Sequence, residues 1–192
     1  MLNNLSRRFA KLLVENTDNA KSMEEIYVYG IELILSTGLG FLSILILSMI
    51  FDELISGVVF ICFFAPLRMF VGGYHAETYG KCFIISNISY LCILMLKKII
   101  WKRISPYILM VVLFIAVIYI FLKTPVINEN QDISIEKQLR SKKISRILLV
   151  AEISLISSLH KSQGGLMCMA ILSVSLVAFF MLISKKPIIV EE

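Results

Sequence analysis

The chain lacks the residue patterns on which a small secreted or metal-binding domain depends. Its four cysteines, Cys62, Cys82, Cys92 and Cys168, show no CxxC spacing, and no paired histidines accompany them. Neither a disulfide framework nor a zinc centre is expected, and nothing requires a metal or an organic cofactor. A basic face on a soluble domain, the footprint of a nucleic-acid binder, is also missing, so the net charge of +5 reads as membrane topology. No removable signal peptide is expected, because the first apolar run starts near Ile26 behind a polar stretch and no A-x-A site follows it. Internal repeats and low-complexity linkers are missing too, which points to one domain over residues 1–192.

What is abundant is apolar. Hydrophobic residues make up 58% of the chain and the mean hydropathy is +0.84. A soluble domain of 192 residues cannot hide that much apolar surface in one core, whereas lipid accepts it. The runs 33–51, 104–122 and 164–184 carry no charge and have the length of a membrane crossing. The expected fold is an all-α polytopic membrane bundle of about six segments, near 27–51, 54–67, 82–96, 104–122, 144–159 and 164–184. Two of these, 54–67 and 82–96, are short enough to be re-entrant unless Arg68, Lys97 and Lys98 snorkel to the interface.

An amphipathic segment is expected over residues 1–25. Leu2, Leu5, Phe9, Leu12 and Leu13 recur there at helical spacing, with Arg7, Arg8 and Lys11 on other faces. It would lie on anionic membrane lipid, or be a solvated leader. With six crossings and the N-terminus inside, 14 lysines and arginines fall in the cytoplasm and 5 outside. That asymmetry places both termini in the cytoplasm, although the cluster at 97–103 violates the rule locally. The polar stretch 123–143 becomes a cytoplasmic basic loop.

One polar patch, 68–82, interrupts the apolar pattern with Arg68, Gly72, Gly73, Tyr74, His75, Glu77 and Cys82. Ionisable residues at membrane depth are costly and point to function. A histidine and a cysteine can form a thiolate–imidazolium pair, nucleophile and general acid–base together. On one straight helix His75 and Cys82 would sit about 10.5 Å apart along the axis, too far for a hydrogen bond. A working pair therefore needs a bend, which Gly80 can supply, with a new helix starting near Lys81. Cys82 would then lie in a first helical turn, where the helix dipole and Lys81 favour the thiolate. On the chemistry alone, a coincidental His–Cys pair remains an open reading.

The arrangement Arg68…Gly72-Gly73-Tyr74-His75…Cys82, placed after a first membrane hairpin, resembles the accessory gene regulator B family. The chain length, the basic amphipathic N-terminus and the loop from Lys123-Thr-Pro-Val through Asn128 and Asn130 to a Lys/Arg cluster are similar as well. The resemblance covers nearly the whole chain, and the His-x6-Cys patch is its specific part. It implies a cell-membrane cysteine endopeptidase of quorum sensing. The substrate would be a small AgrD-like precursor peptide with an amphipathic leader and an acidic tail. Cleavage would leave an acyl thioester on Cys82, and an internal thiol or hydroxyl of the peptide would then close a thiolactone or lactone. By position, His75 is the implied catalytic histidine and Cys82 the nucleophile.

The supporting residues have ordinary readings beside functional ones. Arg68 either orients the peptide or snorkels. Glu77 either orients His75 or is a solvated carboxylate. Ser86, one turn past Cys82, either bonds to the site or packs. Gly72 and Gly73 either shape an oxyanion pocket or make a turn. Glu32 and Glu152 either bind the precursor or pair with a cation between helices. Cys62, Cys92 and Cys168 read as packing residues, His160 as interfacial, and 137–146 as either a tail-attracting or a topological cluster. A homodimer is suggested by Gly38 and Gly40 in the first span and by the resemblance. Competing functions are a small peptide transporter or channel using Glu32 and Glu152, and a non-catalytic scaffold.

Overall fold

Apolar runs become helices that outlast them. The computed structural model describes residues 6–9, 24–72, 78–125, 135–159 and 164–184. Six long helices are found there: α1 (Glu24–Ile50), α2 (Leu54–Val71), α3 (Tyr79–Ile100), α4 (Pro106–Lys123), α5 (Ile135–Leu159) and α6 (Gly164–Ile183). Local chemistry sets several of their ends. Thr78 caps α3, its side chain accepting from the Lys81 amide at 3.3 Å. Pro106 opens α4, where its missing N–H leaves nothing unpaired. The α1–α2 turn is closed by Asp52 in the left-handed region at φ 55° and by a bond from the Glu53 amide to the Ser48 carbonyl oxygen at 2.8 Å.

Five helices, α1 to α4 and α6, are long and apolar enough to cross a membrane. The chain is a multi-pass membrane protein. The re-entrant reading of the two short segments gives way, because α2 has 18 residues and α3 has 22. Arg68, Lys97 and Lys98 are built into the helices and extend them to about 27 and 33 Å. The sixth expected segment differs from the other five. It belongs to α5, whose 25 residues include nine from the expected basic loop, 135–143. Arg146 and Glu152 keep it below the apolarity of the rest. Even so, α5 runs the height of the bundle. Arg146 stacks on Phe121 near the end of α4, and Leu159 lies five residues before Gly164, which abuts Trp101 at the opposite end.

The helices alternate up and down, with α6 at the centre. Of its most apolar stretch 61% is buried, against 17% for the peripheral α1. A helix apolar all round belongs inside other helices. The α1–α3 seam is polar: Ser43 bonds Asn87 and Ser48 bonds Tyr90, each at 2.8 Å. Of the expected N-terminal amphipathic segment, 1–25, residues 6–9 are described apart from the start of α1. They make a helical turn with Ser6 buried, and Phe9 lines an apolar cavity of about 260 Å³ with Ile31, Ile34 and Leu35. A Cβ added at Gly38 or Gly40 would meet nothing within 4 Å among the described residues. Cys168 is buried as expected, but Cys62 and Cys92 face outward and do not pack in the core.

The end of the bundle remote from Cys82 holds an ion pair between the buried Lys97 and the half-buried Glu53. Lys97 Nζ donates to Glu53 Oε2 at 2.6 Å and to Ser56 Oγ at 2.8 Å, and Lys98 lies over the Phe51 ring. Part of the basic cluster that violates the charge rule is therefore neutralised by the acidic turn. Burial pushes the Glu53 carboxyl up, but hydrogen bonds from Lys97 and Ser56 and the charges of Lys97 and Lys98 outweigh it and hold it below 4.5. A carboxyl depressed in the folded state contributes stability above its unfolded pKa and loses it as pH falls through the folded value. Thermal stability in detergent should therefore drop as pH falls below about 4.5, and Glu53→Gln should flatten that drop. An unchanged slope in the variant would remove this pair from the acid response.

Candidate active site

The site forms where α2 ends and α3 begins. Arg68 sits in the last turn of α2, half-buried, and its Nη1 donates to the Gly72 carbonyl oxygen. Gly72 has φ 78° and ψ −147°, a conformation a side chain would strain, so glycine is needed where the chain leaves α2. Gly73, Tyr74, His75 and Glu77 lie outside the described residues. The chain is next described at Thr78, the cap of α3.

Cys82 is the fourth residue of α3 and is exposed. Its amide donates to the Thr78 carbonyl oxygen at 3.1 Å, the first bond of the helix. The helix thus starts two residues earlier than expected. Gly80 lies inside the first turn and is not the bend, because the Thr78 side chain caps the helix there. The break between Gly72 and Thr78 still separates Cys82 from α2, so the two sides of the patch are not on one straight helix. Arg68 lies within electrostatic reach of Cys82. Ser86 is half-buried one turn further along α3, beside Asn87, whose side chain holds Ser43.

Other helices border the same end. Glu32 and Tyr29 of α1 lie within electrostatic reach of Tyr79, the first residue of α3. Phe180 of α6 lies under Arg68, its ring centroid 5.4 Å from the guanidinium carbon. Sequence reasoning missed both Phe180 and Thr78. The Thr-x-x-Lys start of an apolar run was a usable cap signal. Nothing local marked Phe180, 112 positions from Arg68. Glu152 is not paired as expected: it is buried, and neither carboxyl oxygen has a hydrogen-bond partner among the described residues. His160 lies outside the described residues.

A six-helix bundle with an exposed cysteine at a helix start and an arginine beside it defines a polytopic membrane protein with a polar site at one end. The family model for accessory gene regulator B matches residues 6–182, and the chain belongs to that family. It is similar to AgrB-like protein 2 of Clostridium perfringens (strain 13 / Type A), at 26% identity over 184 residues, covering 91% of this chain and 86% of the relative. An AgrB-like protein of Clostridium perfringens (strain SM101 / Type A) is also 26% identical, over 163 residues, covering 80% of this chain and 76% of that one. No solved structure matches significantly. Family membership connects the chain to the accessory gene regulator system.

Proposed function

We propose that this protein is a membrane cysteine endopeptidase that cuts a small AgrD-like precursor peptide and promotes its cyclisation. The observation that carries the reading is the exposed Cys82 in the first turn of α3, facing the end of the bundle where Arg68 and Gly72 close α2. A thiol is inert when buried among apolar groups, and it can act as a nucleophile only where substrate reaches it. Cys168 is buried and fails that requirement. Cys62 and Cys92 lie within α2 and α3, facing outward, away from a helix start.

In this reading His75 takes the thiol proton and Cys82 attacks the scissile carbonyl. The imidazolium then protonates the leaving amine, and the acyl group remains as a thioester on Cys82. An internal thiol or hydroxyl of the peptide then gives its proton to the now neutral His75 and attacks the thioester, closing the ring as the acyl–sulfur bond breaks and the Cys82 thiolate leaves. A thioester is close in energy to a thiolactone, so exchange proceeds if water is kept away, which a site at the membrane interface favours. Arg68 supports the site, and Gly72 and Gly73 shape the approach, with Glu77 and Ser86 as further supporting groups. Both termini and this end of the bundle face the cytoplasm, where the precursor is made.

The test is co-expression with a precursor peptide and mass analysis of peptide and enzyme. Wild type should yield a shortened peptide and a hydroxylamine-sensitive adduct at Cys82, whereas Cys82→Ala should yield neither. Equal trimming with and without the thiol would overturn the reading. It would move the function toward peptide transport, for which Glu152, buried and without a hydrogen-bond partner among the described residues, is the natural pathway residue.

A further inference from the structure

An aromatic row on α2 ends in a charge. Phe60, Phe64 and Arg68 are four residues apart and share one face of the helix. Phe60 stacks on Phe64 with centroids 4.9 Å apart, and Phe60 also meets Tyr90 of α3 edge-on at 5.3 Å. The ring of Phe180, from α6, lies 6.0 Å from Phe64 and 5.4 Å from the Arg68 guanidinium carbon. One ring from the central helix thus touches two consecutive members of the row. The guanidinium carbon lies over the Phe180 ring, and one guanidinium N–H donates to the Gly72 carbonyl oxygen.

We infer that Phe180 is a positioning residue: it holds the Arg68 guanidinium on the Gly72 carbonyl and so fixes where the segment bearing His75 leaves α2. The physical reason lies in the arginine side chain. Its four rotatable bonds let the guanidinium wander, and a ring beneath it together with one anchored donor removes most of that freedom. Gly72 has no side chain to define its own geometry and adopts a backbone conformation open to many alternatives. The carbonyl it presents therefore needs an outside partner, which Arg68 supplies. Phe64 in turn packs on Phe180, so the aromatic row carries the position of α6 to the site. For its catalytic consequence this inference rests on the cysteine-protease reading; the clamp itself does not.

The test uses the full-length protein in detergent or nanodiscs, with hydrogen exchange followed by mass spectrometry. The variants are Phe180→Leu, which keeps apolar bulk against Phe64 but loses the ring face, Phe180→Tyr, which keeps the ring, Arg68→Met, and the Phe180→Leu/Arg68→Met double. Phe180→Leu and Arg68→Met should each speed exchange in the window 68–82 by at least about threefold. The double should be no faster than Arg68→Met alone, because both substitutions break one device. Phe180→Tyr should match wild type, and the window around Glu53 should be unchanged in all, showing that the bundle is intact. Trimming should fall about tenfold in kcat for Phe180→Leu with little change in KM, the result of a misplaced catalytic segment. Exchange like wild type in Phe180→Leu, or effects that multiply in the double, would overturn the clamp. If the exchange pattern holds but wild type trims no precursor, the protease reading fails and the clamp stands. If trimming depends on Cys82 but exchange ignores Phe180, the clamp fails and the protease reading stands.

Discussion

On the proposed mechanism, His75→Ala and Cys82→Ala should each lower precursor trimming by about a thousandfold or more, and the double variant should be no slower than either single. Residues that act as one unit lose the whole rate when either is removed, so a second removal has nothing left to take. Multiplying losses would mean that the two side chains act separately, and the dyad would then be discarded. Stability is a separate readout. Cys82 is exposed, so truncating it empties no cavity, and the variant should insert and melt like wild type. A loss of activity accompanied by a loss of membrane insertion would point to folding instead of chemistry. The measurement is initial rate by peptide mass, with thermal midpoint in detergent as the control.

Gly57→Ala should destabilise the bundle more than any comparably small change in α2. A Cβ at position 57 would lie 1.9 Å from Ser48 Oγ and 2.8 Å from Ser48 Cβ. The hydroxyl has no free direction to retreat, because it donates to the Ile44 carbonyl oxygen at 2.6 Å and meets the Tyr90 hydroxyl at 2.8 Å. Overpacking of this kind costs ~1–3 kcal/mol before the lost bond to Tyr90 is counted. Tyr90 is fully buried, so its orphaned hydroxyl adds a further cost. The midpoint of thermal unfolding should fall by several degrees, the shift expected of a change of this size in a domain of this length. The swapped variant, Ser48→Gly with Gly57→Ala, removes both clashing atoms and should recover the overpacking part of the loss, while the Tyr90 hydroxyl stays without its Ser48 partner. If the swap melts as low as Gly57→Ala alone, close packing of α1 on α2 is not the cause.

Much of this protein was legible in one dimension because lipid simplifies the code. A backbone that cannot bond to water inside the bilayer must form helices, so long charge-free runs alone determined where most of them lie. The polar patch 68–82 stood out for the same reason: charge at membrane depth is costly enough to be conspicuous. Boundaries were less legible, because charged residues with long apolar stems belong to the helices. Arg68 extends α2, Lys97 and Lys98 extend α3, and 135–143 extends α5. Hydropathy counts each of these as an end, whereas the backbone continues through them.

By itself the sequence determined the class, the approximate number of crossings and the family resemblance, and it named the two residues on which the proposed chemistry rests. Tertiary structure alone decided which side chains meet. It set Lys97 against Glu53, 44 positions away, and so turned part of an apparent topological violation into an internal pair. It put Phe180 beneath Arg68, placed Ser48 in the space over Gly57, and left Glu152 inside the bundle without a hydrogen-bond partner among the described residues. The reason is that helix formation depends on a window of neighbouring residues, which the sequence displays. Helix packing depends on the rotation and depth of each helix against the others, which no local window contains.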